Sequence, residues 1–429
     1  MDSEGKSAVT MTTGRATHDR QVDAELRARA ARVIPGGMYG HLAVNERVLP
    51  PSFPQFWSRG EGAHAWDVDD NRYIDFMCSW GPMLLGHRDP TVERAAARQA
   101  ALGDTLCGPS ARMVEFAELL SETVVGADWT MFGKNGTDAT STAVRVARAA
   151  TGKKRFLKAR QAYHGANDWF TPVPVGTVPE ERSLIVEFDY NDLASLREAV
   201  AAHSGDIAAI IVTPFRHDPR VPQEAAEPEF AREARRLATA EGAALVLDEV
   251  RTGFRLDVRG AWEGLGVRPD LTAFSKAIAN GHAVSALVGL EALKQAAGQI
   301  FVTGSFWFSS VPMAAGIATV QRAVEIDAPE LMRAAGERFR SGLHAQGAAV
   351  GLPVELSGPA QMPLMTFADD PDRSKAFAFT DAAVRHGVLL HPWHTMFLSA
   401  AHTPEVIDDA LARTEAAFAE LAALVTTLS

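Results

Sequence analysis

Residues 243–255 read AALVLDEVRTGFR and residues 271–282 read LTAFSKAIANGH, and these two stretches give the strongest indication of the fold. Each begins with an apolar run, and Asp248 follows the first run while Ser275 and Lys276 follow the second. Such runs are typical of parallel strands that helices cover on both faces. Asp248 and Lys276 are 28 residues apart (276 minus 248), about the length of one crossover between parallel strands. We therefore expect the two side chains on neighbouring strand ends, where open α/β sheets bind their ligands.

Predicted strands and helices alternate along the rest of the chain. We predict a helix over Val22–Val33, a β-hairpin between Phe56 and Phe76 and two Ala-rich helices between Thr91 and Ala150. Strands are predicted at Arg155–Leu157, Ala208–Thr213, Ala243–Leu247 and Leu271–Phe274. A long helix after Pro312 and a C-terminal helix from Glu405 complete the pattern, which predicts an α/β protein with a parallel sheet.

Composition excludes several classes of protein. The 429 residues carry 42 Lys and Arg against 53 Asp and Glu, and a net charge of -11 gives no field that would attract nucleic acid or anionic lipid. No apolar run reaches the roughly 18 residues needed to cross a bilayer as a helix. The two cysteines, Cys78 and Cys107, lack the spacing of a zinc site or a disulfide framework. We expect no metal, two buried free thiols and a cytoplasmic location, with no nucleic-acid or membrane partner.

Lys276 has two interpretations. Most lysines are solvated surface charges, and a lysine at the start of a helix fits that description. The alternative is a Schiff-base lysine, whose amine becomes reactive when it is removed from water or placed near another cation. Asp248 is likewise either a cap of the following segment or an acid that holds a pyridinium proton in place.

A third motif precedes a predicted helix. GKNGTDA at residues 133–139 places glycines, an amide and a hydroxyl at a helix start, where free N–H groups and the helix dipole favour a phosphate. The same residues also fit an ordinary N-cap. Tyr163, in the sequence Tyr163-His164-Gly165, is either an aromatic that stacks on a flat ring or part of a packed loop.

Taken in order, these motifs resemble those of class III pyridoxal-phosphate aminotransferases, most of all the glutamate-1-semialdehyde aminomutase branch. The resemblance extends from Pro35 to about Leu411. Its motifs are Pro35-Gly36-Gly37, WDVDDNRYIDF with Ser79-Trp80-Gly81-Pro82 and Leu85-Gly86-His87, GKNGTDA, Tyr163-His164-Gly165, DEVRTGFR, FSKAIANGH and Thr303-Gly304-Ser305-Phe306.

The resemblance implies a role for individual residues. Lys276 would form the internal aldimine with pyridoxal 5'-phosphate (PLP) and move the proton, and Asp248 would pair with the pyridine nitrogen. The cofactor-binding residues implied with them are Asn135, Gly136 and Thr137 at the phosphate, Tyr163 and Val250 on the two ring faces, and His164, Gly304 and Ser305. Ser305 would reach the phosphate of the neighbouring subunit, so the resemblance implies a homodimer with shared active sites.

The departures from the aminomutase pattern concern the substrate. Ala43 stands where the aminomutases carry an arginine that holds the substrate carboxylate. The substrate pocket is predicted to include Tyr39, Trp80, Trp307, His391 and His394. His217 or Asp218 falls near the position that approaches the ring hydroxyl, and the sequence does not choose between them.

The fold implied is fold type I of the PLP-dependent enzymes. A large domain carries a mostly parallel seven-stranded sheet covered by helices, and the N-terminal segment and the C-terminal part form a smaller α+β domain. The expected divisions are a flexible tail at 1–20, the N-terminal segment at 21–85, the large domain at 86–325 and the C-terminal small domain at 326–429.

Three functions are compatible with these features. We expect an aminotransferase that moves an amino group from an amino donor to a keto or aldehyde acceptor. The alternative is an aminomutase or racemase that acts intramolecularly on an amino compound other than glutamate-1-semialdehyde. A non-catalytic binding module is disfavoured because it would need neither Lys276 nor Asp248.

Overall fold

The computed structural model describes residues 20–44, 48–216 and 221–428. The helices are α1 (Gln21–Val33), α2 (Pro90–Ala100), α3 (Ala111–Thr123), α4 (Gly136–Thr151), α5 (Pro179–Arg182), α6 (Leu193–Ala202), α7 (Pro228–Glu241), α8 (Glu291–Gln299), α9 (Ser310–Glu325), α10 (Ala328–Ala349), α11 (Ser374–Arg385) and α12 (Pro404–Leu428). The strands are β1 (Trp57–Glu61), β2 (His64–Asp67), β3 (Arg72–Asp75), β4 (Trp129–Gly133), β5 (Arg155–Ala159), β6 (Ile185–Phe188), β7 (Ile207–Val212), β8 (Phe215–Arg216), β9 (Glu224–Ala225), β10 (Ala244–Asp248), β11 (Leu271–Phe274), β12 (Ser285–Gly289), β13 (Val354–Ser357), β14 (Leu364–Phe367) and β15 (Val388–Leu389).

The central sheet has seven strands in the order β4-β12-β11-β10-β7-β5-β6. β12 runs antiparallel to both of its neighbours, and the other neighbouring strands pair in parallel. Every residue of β7 and β10 is buried, as expected for strands covered by helices on both faces. The predicted mostly parallel seven-stranded sheet of an α/β fold is confirmed.

The N-terminal and C-terminal parts of the chain share a second sheet. β1, β2 and β3 form an antiparallel meander, so the predicted hairpin has one more strand than the sequence pattern indicated. β15 then adds in parallel to β3, with Val388 opposite Ile74. The rings of Phe76 and Phe339 stack with their centroids 4.2 Å apart, which packs the N-terminal segment on α10. The expected tail lies almost entirely outside the described residues, and the domain boundaries at 85 and 325 stay predictions.

Two further expectations need correction. β4 lies between α3 and α4, and three helices rather than two occupy the region from 90 to 151. The motif at residues 133–139 therefore follows a strand of the central sheet. Cys78 is buried, but Cys107 is exposed, so only one of the two free thiols is a core residue. No helix in the described ranges is both long enough and apolar enough to span a membrane.

Candidate active site

Asp248 and Lys276 lie on neighbouring strand ends, as the spacing predicted. β10 and β11 pair in parallel with Asp248 opposite Ala273, three residues before Lys276. Lys276 has a φ of 48°, in the left-handed region that residues other than glycine seldom adopt. Its ammonium group donates a hydrogen bond to the carbonyl oxygen of Trp80 at 3.0 Å. The turn after β11 therefore holds the amine in one position.

A buried histidine fixes the carboxylate of Asp248. Asp248 is 6% exposed, and its Oδ2 lies 2.7 Å from Nδ1 of His164, while its Oδ1 accepts from the backbone N–H of Val250 at 3.0 Å. The hydroxyl of Thr140 on α4 donates to the carbonyl oxygen of His164 at 2.5 Å. The carboxylate therefore keeps one orientation at the end of β10.

A cavity of about 710 Å³ brings the predicted cofactor residues together. It is large enough for a cofactor with part of a substrate. The lining includes Asn135, Gly136, Thr137, Tyr163, His164, Asp248, Val250 and Lys276. Gly281 and His282, which end the motif FSKAIANGH, complete one wall together with Ala283 and Val284, which the sequence did not single out.

The start of α4 forms one end of this cavity. Asn135 and Asp138 form a capping box, in which Asn135 Oδ1 accepts from the N–H of Asp138 and Asp138 Oδ2 accepts from the N–H of Asn135. The first N–H groups of a helix have no partner within it, so those of Gly136 and Thr137 suit an anion. A Cβ on Gly136 would lie 2.6 Å from Cγ1 of Val250, so a glycine is needed for α4 to begin against Val250.

Two polar side chains from the lysine and aspartate motifs hold the loop that carries Trp80. Asn280 accepts from the N–H groups of Leu84 and Leu85 and donates to the carbonyl oxygen of Gly86. Arg255, which is fully buried, donates to the carbonyl oxygens of Gly81, Met83 and Leu398. The two side chains thus fix residues 81–86, which directly follow Trp80.

The amine of Lys276 is unusually acidic. Its pKa is lowered to about 7, first by removal from water and then by the positive charge of Arg251, against the opposing effect of Asp248. About half of these amines are neutral at neutral pH, whereas an ordinary lysine with a pKa of about 10.4 is almost wholly charged. Lys276 is therefore a nucleophile and a proton acceptor at neutral pH.

This acidity predicts how the cofactor-free protein attaches PLP at different pH values. Only the neutral amine attacks an aldehyde, so the attachment rate should rise with pH to a midpoint near 7 and then level off. Stopped-flow absorbance after mixing cofactor-free protein with PLP measures this profile. Free lysine with PLP is the control, and a midpoint near 10 in the protein would contradict the expectation.

Glu249, next to Asp248, points away from the cavity. It is buried and accepts from the N–H of Ala261 at 2.8 Å and from the hydroxyl of Thr252 at 3.2 Å. Burial raises its pKa to about 7, against those two hydrogen bonds. The Glu249 side chain thus stabilises the turn after β10.

Glu249→Gln should remove a pH dependence of stability. Since the pKa of Glu249 is raised above the unfolded value of about 4.3, its favourable contribution is fully present below about pH 4 and is lost as the pH rises through about 7. The free energy of unfolding of the variant, minus that of the unmodified protein, should therefore increase by on the order of 3 kcal/mol as the pH rises from about 4 to about 7. Denaturant unfolding of both cofactor-free proteins at matched concentration measures this difference, and a difference that does not change with pH would contradict it.

An aromatic cluster surrounds Trp80, whose carbonyl oxygen accepts from the amine of Lys276. The Trp80 ring lies edge-on to the rings of His391 and His394, with centroids 5.3 Å and 4.8 Å away. Burial holds the pKa of His394 well below its usual range, so this imidazole is neutral. Its Nδ1 is 2.9 Å from the carbonyl oxygen of Thr395, which makes Nδ1 the donor and leaves Nε2 as an acceptor. Three of the five predicted pocket residues thus lie together at Trp80, which contacts Lys276, but none of the three lines the larger cavity.

A second cavity, of about 560 Å³, begins at Trp80. Its apolar lining is Met38, Leu42, Val44, Leu49, Phe53, Pro54, Trp57, Ala65, Met77, Trp80 and Leu389. Two of its polar residues are engaged elsewhere, since Arg59 pairs with Asp70 and His87 contacts Asp75. The segment around Trp80 therefore lies between the reacting amine and an apolar chamber.

The remaining predicted residues lie elsewhere in the described chain. Tyr39 is 68% exposed and lines neither cavity, and Trp307 lines a small separate space against α4 with Phe132 and Asp138. Ser305 is exposed and Gly304 is half-buried, and neither lines the larger cavity. Their predicted roles stay predictions, and His217 and Asp218 lie outside the described residues.

Arg251 is the functional candidate that sequence reasoning missed. It stands inside the motif DEVRTGFR, lines the larger cavity and lowers the pKa of Lys276. A cation one residue after Val250 was a usable signal, because Val250 itself was predicted to lie on the cofactor ring. The contact of Lys276 with the carbonyl group of Trp80 had no such signal.

The residues of the cavity fit a phosphorylated pyridine aldehyde. The helix start suits the phosphate, the fixed carboxylate of Asp248 suits a protonated ring nitrogen, and the acidic amine of Lys276 suits the aldehyde. Within the described ranges, no group of three or more His, Cys, Asp or Glu is placed to hold a metal ion. The fold and this cavity define a PLP-dependent enzyme of fold type I.

Comparison with known proteins gives the family. The model of the aminotransferase class-III family matches residues 47–420, and the chain belongs to this family of PLP-dependent aminotransferases. It is 50% identical to the aminopentol aminotransferase of Sphingopyxis macrogoltabida over 92% of this chain and 93% of that protein. It is 34% identical to the glutamate-1-semialdehyde 2,1-aminomutase of Desulforudis audaxviator over 94% of this chain and 98% of that protein.

A solved structure shares the fold over nearly the whole chain. The FumI protein of Sphingopyxis sp. MTA144, in its PLP internal aldimine form, superimposes with a TM-score of 0.92. Its sequence is 49% identical, and the match covers 95% of this chain and 97% of that one. The predicted cofactor and the predicted transamination are thereby confirmed.

Proposed function

We propose that the amino donor is an amino alcohol with an apolar chain, whose reacting carbon carries no carboxylate. The apolar chamber carries this proposal, because Trp80, whose carbonyl oxygen accepts from the amine of Lys276, also lines this chamber and so connects it with the amine. The aminopentol aminotransferase, 50% identical, is named for an amino alcohol. We place this protein in the aminomutase-like branch of the family. Ala43 stands, however, where the aminomutases carry the arginine that holds the substrate carboxylate.

The chain's own residues perform the reaction as follows. Bound PLP supplies an electron sink for the negative charge that forms when the substrate carbon loses its proton. Lys276 is proposed to take that proton at Nζ, and its hydrogen bond to Trp80 aims the amine toward the donor. Asp248, held by His164, would pair with the ring nitrogen. Trp80 and the neutral His394 exclude water from the same side.

The experiment is a donor series with the cofactor-loaded enzyme and a keto acid acceptor. Amino alcohols of increasing chain length are compared with amino acids of matched length. Each added CH₂ that enters the chamber should raise kcat/KM about fourfold, the equivalent of about 0.8 kcal/mol. Preference for the amino acids, or product formation without any acceptor, would contradict the proposal; the second result would indicate the aminomutase or racemase reaction.

A pair of variants tests whether the apolar chamber holds the apolar chain of the donor. Leu42→Glu places a charge in the chamber at a residue that is 44% exposed, and it should flatten the dependence on chain length. Leu331→Glu on α10, where the leucine is 46% exposed, changes charge equally without touching the chamber. An equal loss of the chain-length dependence in both variants would mean that the chamber does not hold the chain.

We also propose a homodimer in the cytoplasm, in which Gly304 and Ser305 complete the neighbouring subunit's phosphate site. The support is that Ser305 is exposed and lies between Phe301 and Phe306, which are 81% and 64% exposed. Large exposed apolar side chains of this kind mark interaction surfaces. The free thiols fit a reducing compartment. Sedimentation of the purified protein tests the dimer, and a monomer with full activity would contradict it.

A further inference from the structure

Three consecutive residues next to the reacting amine have an unfavourable backbone conformation. Cys78, Ser79 and Trp80 have φ values of 45°, 54° and 67°. All three lie in the left-handed region, where the Cβ of a residue other than glycine comes too close to the following carbonyl oxygen. In the described part of the chain, no other pair of adjacent non-glycine residues shares this conformation. The left-handed turn at residues 78–80 therefore needs contacts from outside itself that hold it.

This turn presents one carbonyl group to Lys276. The carbonyl oxygen of Trp80 accepts from Nζ of Lys276 at 3.0 Å. Within the turn, the N–H of Trp80 donates to the carbonyl oxygen of Met77 at 2.8 Å, and the N–H of Gly81 donates to that of Cys78 at 2.9 Å. A turn of the opposite hand would point the carbonyl group of Trp80 in another direction. The handedness of the turn thus decides whether Lys276 has this acceptor.

A buried aspartate holds the turn at its start. Asp75, the last residue of β3, is 3% exposed. Its Oδ1 accepts from the N–H of Met77 at 2.8 Å and from the N–H of Cys78 at 2.9 Å. Hydrogen bonds from backbone N–H groups to a carboxylate are stronger than those between neutral groups. Asp75 therefore fixes the two peptide groups through which the chain enters the turn.

His87 in turn holds the carboxylate of Asp75. Its Nε2 lies 2.8 Å from Oδ2 of Asp75, and its backbone exchanges two hydrogen bonds with Gly62. A Cβ on Gly60 would lie 2.6 Å from Cγ of His87, so the imidazole packs directly on the backbone of β1. Both oxygens of Asp75 are thus engaged. A continuous series of contacts leads from β1 through His87 and Asp75 to the turn, and it ends at the amine.

We propose that Asp75 is a positioning residue for Lys276: by holding the left-handed turn, it keeps the carbonyl group of Trp80 in place as the acceptor of the free amine. Asp75 does not line the larger cavity, so it acts through the turn. The contact with Trp80 serves Lys276 in its free form, which is the form that attaches PLP and accepts the substrate proton. A reacting group that is already oriented reacts faster. This inference rests on the role of Lys276 proposed above.

The test follows the attachment of PLP to cofactor-free protein by stopped-flow absorbance over a range of PLP concentrations, so that no amine donor is needed. In Asp75→Ala the limiting rate should fall on the order of tenfold, less than the 10²-fold or so that a misplacement of 1 Å can cost, since Asn280 and Arg255 still hold residues 81–86. The half-saturating PLP concentration should change little, because the phosphate end at α4 is untouched. A merely structural role would lower the amplitude, which counts competent protein, and not the limiting rate.

Two further variants complete this comparison. Asp75→Asn keeps an oxygen for the N–H groups of Met77 and Cys78, so it should recover most of the rate. Asp67→Ala is the matched control. Asp67 on β2 is also buried, and its Oδ1 also accepts from two backbone N–H groups, but these belong to Asp69 and Asn71 rather than to the turn. Asp67→Ala should therefore keep the limiting rate of the unmodified protein.

Variants of the turn itself test the same inference if Asp75→Ala does not fold. Ser79 is exposed, so its side chain can be changed without disturbing the core. Ser79→Val places a β-branched residue at a left-handed position and should slow attachment as Asp75→Ala does. Glycine adopts this conformation without steric cost, so Ser79→Gly should restore part of the rate when it is combined with Asp75→Ala.

The outcomes separate this inference from the role of Lys276. Borohydride reduction and peptide mass spectrometry first locate the cofactor in the unmodified protein. A label away from Lys276 would refute the proposed role of Lys276 and this inference with it. A label on Lys276, with unchanged limiting rates in Asp75→Ala and Ser79→Val or with an equal loss in Asp67→Ala, would overturn the role of Asp75 alone. Slower attachment confined to the variants of Asp75 and of the turn supports it.

Discussion

Lys276→Ala should reduce the turnover of donor and acceptor by about 10⁴-fold, the upper end of what a positioned proton-transfer group contributes. The reason is that Lys276 combines two properties at one atom. Its amine is held by Trp80, and its pKa is lowered to about 7, so one group both attacks the cofactor aldehyde and accepts the substrate proton. Lys134, the other lysine of the described cavity lining, donates instead to the carbonyl oxygen of Ala283.

Three measurements separate this role from a structural one. Borohydride reduction followed by peptide mass spectrometry should place the cofactor on Lys276 in the unmodified enzyme. Lys276→Arg keeps the positive charge but cannot lose its proton, so it should be as inactive as the alanine variant. Lys134→Ala removes the other lysine of the lining and is the matched control. The cofactor label on Lys134, or a tenth of the activity left in Lys276→Ala, would contradict the assignment.

The sequence predicted the central part of this site because the residues that form it belong to short, continuous segments of the chain. The two apolar runs end at Asp248 and Lys276, and parallel strands bring their carboxyl ends to one sheet edge. The motif at residues 133–139 could be read in the same way, since helix caps are formed by residues three apart. In both cases the physical cause lies within a short segment.

The remaining features depend on contacts between distant segments. Lys276 and Trp80 are 196 residues apart in the chain, and Arg255 reaches Gly81 across 174. The partner in both contacts is a backbone carbonyl group. Because every residue has one, no side-chain pattern in the sequence predicts these contacts. Trp307 shows the reverse case: an aromatic residue predicted in the pocket lies in a small space behind the start of α4.

Asp248→Asn should slow the reaction by about 10³-fold while leaving the fold intact. Asparagine has nearly the shape of aspartate and still offers an oxygen to the N–H of Val250, but it carries no negative charge. Without that charge the ring nitrogen of PLP loses the group that favours its protonation, and the electron sink weakens. Losses of 10² to 10³ are typical when one preorganised electrostatic contact is removed.

The measurement is a single turnover of the amine donor, together with PLP affinity by equilibrium dialysis. We expect the rate to fall and the affinity to change less than about tenfold, since the phosphate end at α4 is untouched. Glu249→Gln is the matched control: it removes the neighbouring buried carboxylate, whose contacts are with Ala261 and Thr252 rather than the cavity. Equal losses in the two variants would mean that the turn after β10, and not the charge of Asp248, sets the rate. A loss confined to Asp248→Asn assigns the effect to the carboxylate that His164 holds.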